Sequence, residues 1–536
     1  MEDFDYIIVG AGSAGSVLAN RLTEDGASRV LVLEAGGSDR NFWVQVPIGY
    51  GKVYYDPRVN WKYTTEPVPG LDNARSYWPR GKVLGGSSSI NAMVYVRGHP
   101  AEYVRWDIPG WGWADIAPLF RRMEDWSGGA DTIRGAGGPL PVYDVADDVH
   151  PLTRTYLKAA GEAGIATNPD YNGTTMDGAC LYQITTKNGR RASAARAYLH
   201  PAMGRGNLRV ETRAHVTRIL LDGPRATGVA YRQNGTEKIA HARREVILCG
   251  GAINSPQILQ LSGIGPGDVL RRHGIDVVVD APAVGRNLQD HLGYDHLFTC
   301  NVPTLNRALR PLWGKLSAGI RYLLTRRGPL SLSLNQGGGF VRLAPGPGRP
   351  DLQLYFSPVS YTRAPVGTRP LMNPDPFQGF LMGFNPCHPT SRGSLRIRSA
   401  DPFDAPEMQP NYLDTDHDMD LMLAGSDLMR RIAGSPALAA VITGELTPGP
   451  EITRRADRIA AIRAASWTVF HQCGTCRMGR TAAGAVVDPR LRVFGIAGLR
   501  VADASIFPDI PTGNTNAPAI MTGEKAADLI REDAKG

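Results

Sequence analysis

The sequence has no long hydrophobic run and few cysteines. No uninterrupted apolar stretch approaches the roughly 18–20 residues that a membrane-spanning helix needs. Six cysteines are scattered along 536 residues and only Cys473 and Cys476 lie close together, which argues against a disulfide framework and favours a reducing compartment. The opening residues, MEDFDYIIVG, lack the basic segment of a signal peptide. We therefore expect a cytoplasmic protein, with peripheral attachment to the inner membrane as the alternative.

The charge pattern lacks the features of a nucleic-acid-binding protein. Lysine and arginine number 59 against 51 aspartates and glutamates, a formal net charge of +8. The basic residues occur in pairs such as Arg121-Arg122, without a basic stripe interleaved with aromatic residues. The 42% hydrophobic and 21% charged residues are typical of globular proteins, and 536 residues indicate two or three packed units. We expect a small-molecule partner and no nucleic acid.

A glycine-rich turn follows the first predicted strand. The apolar run at residues 6–9 leads into a G-x-G-x-x-G turn. In such a turn Gly10 makes the bend, Gly12 lets the backbone approach a pyrophosphate, and Gly15 lets the next helix pack closely on the strand. The N-terminus of that helix, which runs through Leu22, supplies amide donors and the positive end of its dipole. The pattern predicts a dinucleotide-binding unit.

A second predicted strand, at residues 30–33, delivers Glu34, which lies 19 residues after Gly15 (34 − 15). A carboxylate at this spacing accepts hydrogen bonds from the ribose hydroxyls of an adenine dinucleotide. The motif does not separate NAD from FAD. Other glycine clusters, at residues 250 and 337, lack the same spacing, so the sequence contains one such unit. With one dinucleotide site, we expect electrons to come directly from the substrate.

Two further segments, residues 81–98 and 251–265, are rich in glycine and serine. Small residues let a planar ligand lie against the backbone, and Ser87, Ser88 and Asn91 offer hydrogen bonds, although a surface loop would look the same. Together with residues 471–479 (HQCGTCRMG) and 498–530, however, the two segments resemble the motifs of the glucose–methanol–choline oxidoreductases, flavoenzymes that oxidise alcohols. The resemblance covers residues 4–530 and points to the bacterial choline-dehydrogenase-like branch.

The resemblance implies a mixed α/β fold with two domains. A Rossmann-type FAD-binding domain would comprise residues 1–155, 205–297 and 470–536. A discontinuous substrate-binding domain, built on an antiparallel sheet flanked by helices, would comprise residues 156–204 and 298–469. The alternation of apolar and polar residues in 207–222 and 227–232 agrees with strands of a second sheet in the FAD-binding domain.

The resemblance also implies a set of FAD-binding residues. These are Gly10, Gly12, Ser13, Ala14, Gly15, Glu34, Ala35, Trp61, Arg80, Gly85, Ser88, Asn91, Ala92, Met93, Val94, Val216, Asp503, Ala504, Thr515 and Asn516. Some members tether FAD through a histidine in the first signature, and that position is Ile90 here, so we expect FAD to be held non-covalently. A helix beginning near Asn516, with Pro518 in its first turn, would direct its N-terminus at the flavin edge that becomes negative on reduction.

The stretch HQCGTCRMG allows three interpretations. A structural zinc site needs four protein ligands, and a catalytic site needs three plus an open position. Beyond His471, Cys473 and Cys476 the C-terminal region offers no further histidine or cysteine. A redox-active C-x-x-C would begin a helix in a small thioredoxin-like domain, whereas this one lies deep in a long chain. We therefore predict no metal, two buried and unreactive cysteines, and His471 as the catalytic base that faces the flavin.

The resemblance supplies a partner and a substrate pocket for His471. The partner is Asn514, at a position where family members carry histidine or asparagine; a neutral amide suffices because it only has to hold the substrate oxygen. Choline-oxidising members place a glutamate where the alignment gives Gln336 here, and a neutral amide does not offset the desolvation of a quaternary ammonium. We therefore expect a neutral primary or secondary alcohol in a pocket that includes Gln336 and Phe470, with hydride passing to flavin N5.

The electron acceptor, either oxygen or a quinone-type compound, is not fixed by the sequence. The resemblance to choline dehydrogenases favours a dehydrogenase. An oxygen-using oxidase and a lyase that keeps FAD without net redox chemistry are the alternatives. The oligomeric state is not fixed either.

Overall fold

A mostly parallel sheet carries the predicted glycine turn. The computed structural model describes residues 3–344, 346–361 and 373–535. In this sheet Asp3–Val9 lies between Val30–Glu34 and the second half of Thr236–Leu248, all parallel. Leu208–Thr212 pairs with Val30–Glu34, and Leu499–Val501 pairs with Thr236–Leu248. The central strands are covered on both faces, which is why they are nearly continuous runs of valine, isoleucine and leucine.

The strands predicted as a second sheet of this region are continuous with the first. Thr236–Leu248 is 13 residues long, and its first half pairs antiparallel with Arg225–Gln233. Arg225–Gln233 pairs in turn with Ala214–Asp222. Because one long strand belongs to both parts, the prediction of a separate sheet is wrong, although the strands themselves are present.

An antiparallel sheet forms the second layer of the molecule. Its strands, in spatial order, are Ile442–Thr447, Leu292–Cys300, Gly379–Pro386, Leu352–Ser357, Gly337–Val341 and Gly178–Leu181, and Trp467–Thr468 also pairs with Leu292–Cys300. Helices Pro151–Glu162 and Asp416–Ala433 pack on this sheet, and the ring of Tyr156 stacks on that of Phe356 with centroids 4.8 Å apart. The expected α/β fold with a helix-flanked antiparallel sheet is confirmed. The domain boundaries stay a prediction.

The remaining elements of the described residues lie outside these two sheets. The other α-helices are Phe42–Gln45, Tyr50–Val53, Pro100–Arg105, Trp113–Met123, His200–Ala202, Gly267–Arg272, Leu305–Leu309, Leu312–Thr325, Pro436–Ala439 and Arg455–Ala465, besides the three described below. Short 3₁₀ turns are Pro47–Gly49, Pro69–Leu71, Gly86–Ser89, Pro329–Ser331 and Ala504–Ile506, and Ala195–Leu199 is a π-helical turn. Two-stranded ladders pair Tyr63–Thr64 with Tyr77–Trp78, Glu124–Trp126 with Leu140–Val142, Thr186–Lys187 with Arg190–Arg191, Ile264–Gly265 with Val279–Asp280, and Ser394–Arg396 with Glu407–Gln409.

Three helices begin at the carboxyl edge of the parallel strands: Ser13–Arg21, Gly251–Leu261 and Asn516–Asp533. The first and third pack against each other, and a Cβ added at Gly523 would meet the Ala14 carbonyl oxygen at 2.8 Å, so glycine permits this close approach. Their N-termini are joined because Ser13 Oγ donates a hydrogen bond of 2.8 Å to Asn516 Oδ1. The two positive helix ends therefore open toward the same space.

Candidate active site

A long cavity lies at the carboxyl edge of the parallel strands, where the glycine turn meets the C-terminal segment. It brings together most of the residues predicted from the sequence. The predicted residues that line it are Gly10, Gly12, Ser13, Ala14, Glu34, Ala35, Trp61, Arg80, Asn91, Ala92, Met93, Val94, Val216, Phe470, His471, Asp503, Ala504, Asn514, Thr515 and Asn516. Segments that are hundreds of residues apart in the chain thus form one continuous wall.

Three predicted cofactor residues support this wall from behind. A Cβ added at Gly15 would meet the Gly10 carbonyl oxygen at 1.9 Å, so this glycine lets the helix lie directly on the turn. Gly85 has φ of +86°, a conformation that glycine adopts without strain. Ser88 Oγ donates to the Gly85 carbonyl at 2.5 Å and accepts from the Ala194 amide at 2.9 Å. These residues fix the shape of the loop and do not line the cavity.

The prediction that Gln336 lines the substrate pocket is wrong. Its Oε1 accepts hydrogen bonds from the His150 amide at 2.7 Å and from Thr153 Oγ1 at 3.2 Å, at the start of helix Pro151–Glu162. The side chain is buried beneath that helix. It lines neither the long cavity nor a second, largely aromatic cavity that adjoins it and is described below. Gln336 directly precedes strand Gly337–Val341, and its side chain is directed to the start of the helix that covers this end of the sheet.

The glycine turn fits a dinucleotide. A Cβ added at Gly12 would meet only the Cys249 carbonyl oxygen, at 3.8 Å, so the chain itself leaves room there for a ligand. Helices Ser13–Arg21 and Asn516–Asp533 have no side-chain cap and no acidic residue in their first turns. Their amides and dipoles are therefore available to anionic groups such as a pyrophosphate or a reduced flavin.

Glu34 lies where its carboxylate can face the ribose end of such a ligand. Its Oε2 accepts from the Ala11 amide at 2.9 Å and its Oε1 from the Gly36 amide at 2.8 Å. Burial raises the pKa of Glu34 to about 7, against the opposing effect of these two hydrogen bonds. The side chain is thus anchored to the turn while it lines the cavity.

Asp503 joins two of the segments that line the cavity. Its Oδ2 accepts from the Gly251 amide at 2.9 Å and from Ser255 Oγ at 2.6 Å, while its Oδ1 accepts from the Ser505 amide at 2.7 Å. Burial raises the pKa of Asp503, and the hydrogen bonds act in the opposite direction. The carboxylate holds the start of helix Gly251–Leu261 against the turn that follows strand Leu499–Val501.

A strained turn directs His471 toward the cavity. Phe470 has φ of +69°, a left-handed conformation that large side chains rarely adopt. Its carbonyl accepts from Arg80 Nη2 at 2.7 Å and its amide donates to Thr468 Oγ1 at 2.8 Å. The His471 amide donates to Asp290 Oδ1 at 2.8 Å. Strained residues held by several hydrogen bonds are common at functional sites.

The hydrogen bonds of His291 determine the tautomer of His471. The Cys387 carbonyl oxygen can only accept, so His291 Nε2, at 3.0 Å, carries a proton. Neutral His291 then has a bare Nδ1, which accepts from the Nδ1–H of His471 at 2.9 Å. Neutral His471 is left with a lone pair on Nε2.

The hydrogen bonds of Asn514 lead to the same result from the opposite side. Tyr182 Oη donates to the Leu354 carbonyl at 2.5 Å, so its oxygen accepts from Gln353 Nε2 at 3.2 Å. The same Gln353 nitrogen donates to Asn514 Oδ1 at 3.0 Å. Asn514 Nδ2 therefore faces His471 Nε2, at 2.9 Å, and donates to its lone pair.

Both histidines are neutral near pH 7. Burial, together with the nearby His291 and Arg80, holds the pKa of His471 well below its ordinary value of 6.5. Burial also lowers the pKa of His291 to about 4. A neutral imidazole with a bare nitrogen toward a cavity can accept a proton from a bound hydroxyl group.

Cys473 and Cys476 are fully buried within the apolar core of the first sheet. All six cysteines are free thiols in the described part of the chain. Burial raises the pKa of both thiols well above the ordinary value, so neither is a thiolate near neutral pH. This supports their interpretation as small hydrophobic residues.

Sequence reasoning missed several residues of the site. Asp290 and His291 belong to the polar segment NLQDH, which directly precedes the apolar strand Leu292–Cys300, and this abrupt change was the available signal. Gln353 is an isolated amide within the apolar strand Leu352–Ser357. Asn254 and Gln257 line the cavity from the helix of the second glycine-serine segment.

A second cavity adjoins the first at Val94, Phe470 and Asn514. Its wall is largely aromatic. The aromatic residues that line it are Tyr50, Tyr54, Tyr55, Tyr77, Tyr355, Tyr361, Trp467 and Phe470. Its ionisable lining also includes Asp295, Arg75 and Arg463. A substrate in this cavity would meet Asn514 and the adjacent His471 at its inner end.

Comparisons with known proteins match nearly the whole chain. The family profile of GMC oxidoreductases matches residues 4–293 and 389–523. Mitochondrial choline dehydrogenase of Homo sapiens is 44% identical over 99% of this chain and 90% of its own length. Alcohol dehydrogenase [acceptor] of Pseudomonas putida is 41% identical over 98% of this chain and 95% of its own. The structure of an Aspergillus oryzae formate oxidase variant, studied for its FAD modification, superposes with a TM-score of 0.92 at 27% identity, covering 100% of this chain and 99% of that one.

We predict that Asp503→Ala weakens flavin retention by about tenfold or more, because three donors, two of them buried, lose their acceptor and two parts of the cavity wall separate. The measurement is flavin absorbance per protein after dialysis. Asp418→Ala is the matched control: Asp418 is a buried carboxylate that accepts from Thr390 and Ser391 away from the cavity. If both variants lose flavin equally, general destabilisation accounts for the loss.

Proposed function

Because the chain belongs to the GMC oxidoreductases, FAD-dependent enzymes that act on CH–OH donors, we propose that it oxidises a neutral primary or secondary alcohol to an aldehyde or ketone. The observation that carries this proposal is the lone pair of His471 Nε2, located beside Asn514 where the two cavities meet. We propose His471 as the base and Asn514 as the group that holds the substrate oxygen.

The proposed reaction divides the alcohol between two acceptors. The hydroxyl proton passes to His471 Nε2, and the oxygen accepts a hydrogen bond from Asn514 Nδ2. Bound FAD supplies the acceptor for the hydride that leaves the α-carbon, and the carbonyl compound remains. Without substrate, Asn514 Nδ2 donates to the His471 lone pair, so an entering hydroxyl replaces one hydrogen bond with two. His291 Nδ1 accepts from His471 Nδ1–H before and after the transfer.

Three chemical features support non-covalent FAD and a neutral substrate. Ile90 lines the long cavity, and its hydrocarbon side chain cannot form a bond to the flavin. The ionisable lining of the second cavity combines one aspartate, Asp295, with the arginines Arg75 and Arg463, so it does not provide a net negative charge for a quaternary ammonium. Its aromatic rings suit an apolar substituent. The neutral substrate is therefore supported by this lining and not by Gln336, which does not reach the cavity.

We further propose a dehydrogenase that uses a quinone-type acceptor, with an oxygen-using oxidase as the second candidate. Similar proteins of both kinds support these two candidates, since one is an alcohol dehydrogenase [acceptor] and another is a formate oxidase. We propose no lyase activity.

An alcohol panel tests the proposed function. Neutral primary and secondary alcohols, with choline for comparison, are added anaerobically to the holoenzyme while the oxidised flavin absorbance is recorded. We expect neutral alcohols to bleach the flavin faster than choline, and reoxidation in air to be slow compared with reoxidation by a soluble quinone. Preferential bleaching by choline contradicts the neutral substrate, and rapid reoxidation in air contradicts the dehydrogenase. Carbonyl product without bleaching would contradict the redox reaction itself.

Replacing His471 with alanine should lower the rate of flavin reduction by about 10²–10⁴, the usual contribution of a positioned acid–base group. Flavin should stay bound, because Asp503 and the glycine turns are unchanged. Asn514→Ala should lower the rate of flavin reduction by a smaller factor, since it removes a hydrogen bond donor and no proton acceptor. Cys473→Ser and Cys476→Ser serve as controls, and their rates of flavin reduction should stay within a few-fold of the parent rate. Loss of reduction in the cysteine variants, with retention in His471→Ala, would contradict the proposed base.

The pH dependence should follow the neutral form of His471. Its pKa lies well below 6.5, so the base-competent neutral form predominates above that pKa and is lost only as the pH falls through it. We therefore expect a reduction rate that is constant between about pH 6 and 8 and decreases in acid, and not an ionisation near 6.5 as the unperturbed value would give. Stopped-flow flavin reduction measures this rate.

His291 variants separate tautomer control from simple packing. His291→Phe removes the acceptor for His471 Nδ1–H, so the tautomer of His471 is no longer fixed, the rate should fall and its pH dependence should change. In His291→Gln the amide oxygen can accept from His471 while its NH₂ donates to the Cys387 carbonyl, so most activity should return. If Phe and Gln variants have equal rates and pH profiles, His291 has only a packing role.

A further inference from the structure

Helix Leu312–Thr325 presents large apolar side chains to solvent. Leu312 and Trp313 are each 77% exposed and Leu324 is 80% exposed. Leu316, Ile320 and Leu323 are about half exposed or slightly more. Burying side chains of this size is normally favourable, and a contiguous exposed set indicates a binding surface. We call these six residues the apolar stripe.

The apolar stripe lies opposite the face by which the helix packs on the protein. At 3.6 residues per turn the six side chains occupy an arc of about 120°. The buried residues of the helix, Ala318 and Tyr322, project from the other side, where Tyr322 Oη donates to the Gly189 carbonyl at 2.9 Å. Lys315 and Arg321 flank the arc on its two sides. The helix is therefore docked to the protein by one face and offers a second apolar face outward.

The charged residues of the chain segment that contains this helix are all basic. Residues 301–350 contain eight lysines and arginines and no aspartate or glutamate, whereas the rest of the chain contains 51 of each sign (59 − 8 and 51 − 0). The whole formal net charge of +8 thus resides in this segment. Two of its arginines are used in ion pairs, Arg342 with Asp177 and Arg349 with Glu102. The other six are Arg307, Arg310, Lys315, Arg321, Arg326 and Arg327, all within or next to the two helices Leu305–Leu309 and Leu312–Thr325.

We propose that the apolar stripe and its basic surroundings dock the protein on an anionic lipid bilayer, with the helix lying in the plane of the interface. An apolar face of about 120° between basic side chains is the pattern of interfacial helices, and tryptophan is favoured at this depth. A second copy of this chain complements the positive charge less well. It would bring either the same eight positive charges or the rest of the chain, whose formal charge is zero overall. Anionic headgroups complement the charge, and acyl chains cover the stripe. In the described residues, no helix has both the length and the hydropathy to cross a bilayer.

Docking would bring the membrane close to the candidate active site. Ala318 and Tyr322 belong to the same apolar cluster as Tyr50 and Tyr54, which line the second cavity. The bilayer would thus contact a helix whose inner side chains belong to the apolar cluster that also forms part of the wall of that cavity. The docking proposal does not depend on the identity of the substrate or on the proposed base.

Vesicle flotation with the full-length holoenzyme tests the proposal. We expect binding to vesicles of phosphatidylglycerol and phosphatidylethanolamine, weaker binding in high salt, and little binding to phosphatidylcholine. Replacing Arg321, Arg326 and Arg327 together with glutamine should lower the partition coefficient about a hundredfold, because each basic residue near the surface contributes a factor of about five. Replacing Trp313, Leu316 and Leu324 together with serine should abolish binding.

Matched controls lie on other surfaces. Val104→Ser removes a side chain that is 63% exposed, and Arg454→Gln with Arg455→Gln removes two exposed charges; both should bind vesicles like the parent. Activity with a soluble quinone and the unfolding temperature should be unchanged in every variant, which separates docking from folding and from catalysis. Absence of parent binding, equal binding to neutral vesicles, or equal binding by the stripe variant would overturn the proposal. A dimer that dissociates in the serine variant, without vesicle binding, would assign the stripe to self-association instead.

Discussion

Two backbone carbonyl oxygens, of Cys387 and Leu354, fix the direction of every hydrogen bond between them. Because a carbonyl can only accept, the side chains that connect the two have one consistent arrangement of protons. That arrangement leaves His471 Nε2 with a lone pair and turns the NH₂ of Asn514 toward it. The chemistry proposed for the site, proton removal from an alcohol by a neutral imidazole, depends on this directed chain.

The chain of hydrogen bonds also explains why two different sheets are needed. The parallel strands end in glycine turns and in two helix N-termini, a wall suited to an anionic dinucleotide. The antiparallel sheet contributes Gln353. The Cys387 carbonyl, at which the chain of hydrogen bonds ends, directly follows its strand Gly379–Pro386. Asp503 holds the cofactor wall together, and the strained turn at Phe470 places His471 between the two layers. The parallel sheet thus provides the wall for the cofactor, and the antiparallel sheet supports the residues proposed for proton transfer. The two parts meet at His471 and Asn514.

The sequence predicted the elements whose signals are local. The glycine turn, its helix and Glu34 form a contiguous pattern, so the dinucleotide unit was correctly anticipated as part of an α/β fold. The prediction for Gln336 was wrong because its side chain bonds the start of helix Pro151–Glu162, a tertiary contact that the local sequence does not reveal. The partners Gln353 and His291 reach the site only through tertiary contacts, and the depression of the His471 pKa comes from burial, which no spacing of residues encodes.

The central claim is that His471 is neutral, protonated on Nδ1 and bare on Nε2. Nitrogen NMR of holoenzyme labelled at histidine, with the His471 signals identified through their loss in His471→Asn, measures this directly. We expect the Nδ1–H tautomer for His471 at neutral pH, with no change until the sample is made acidic. A signal from the Nε2–H tautomer, or from a doubly protonated ring near neutral pH, would contradict it.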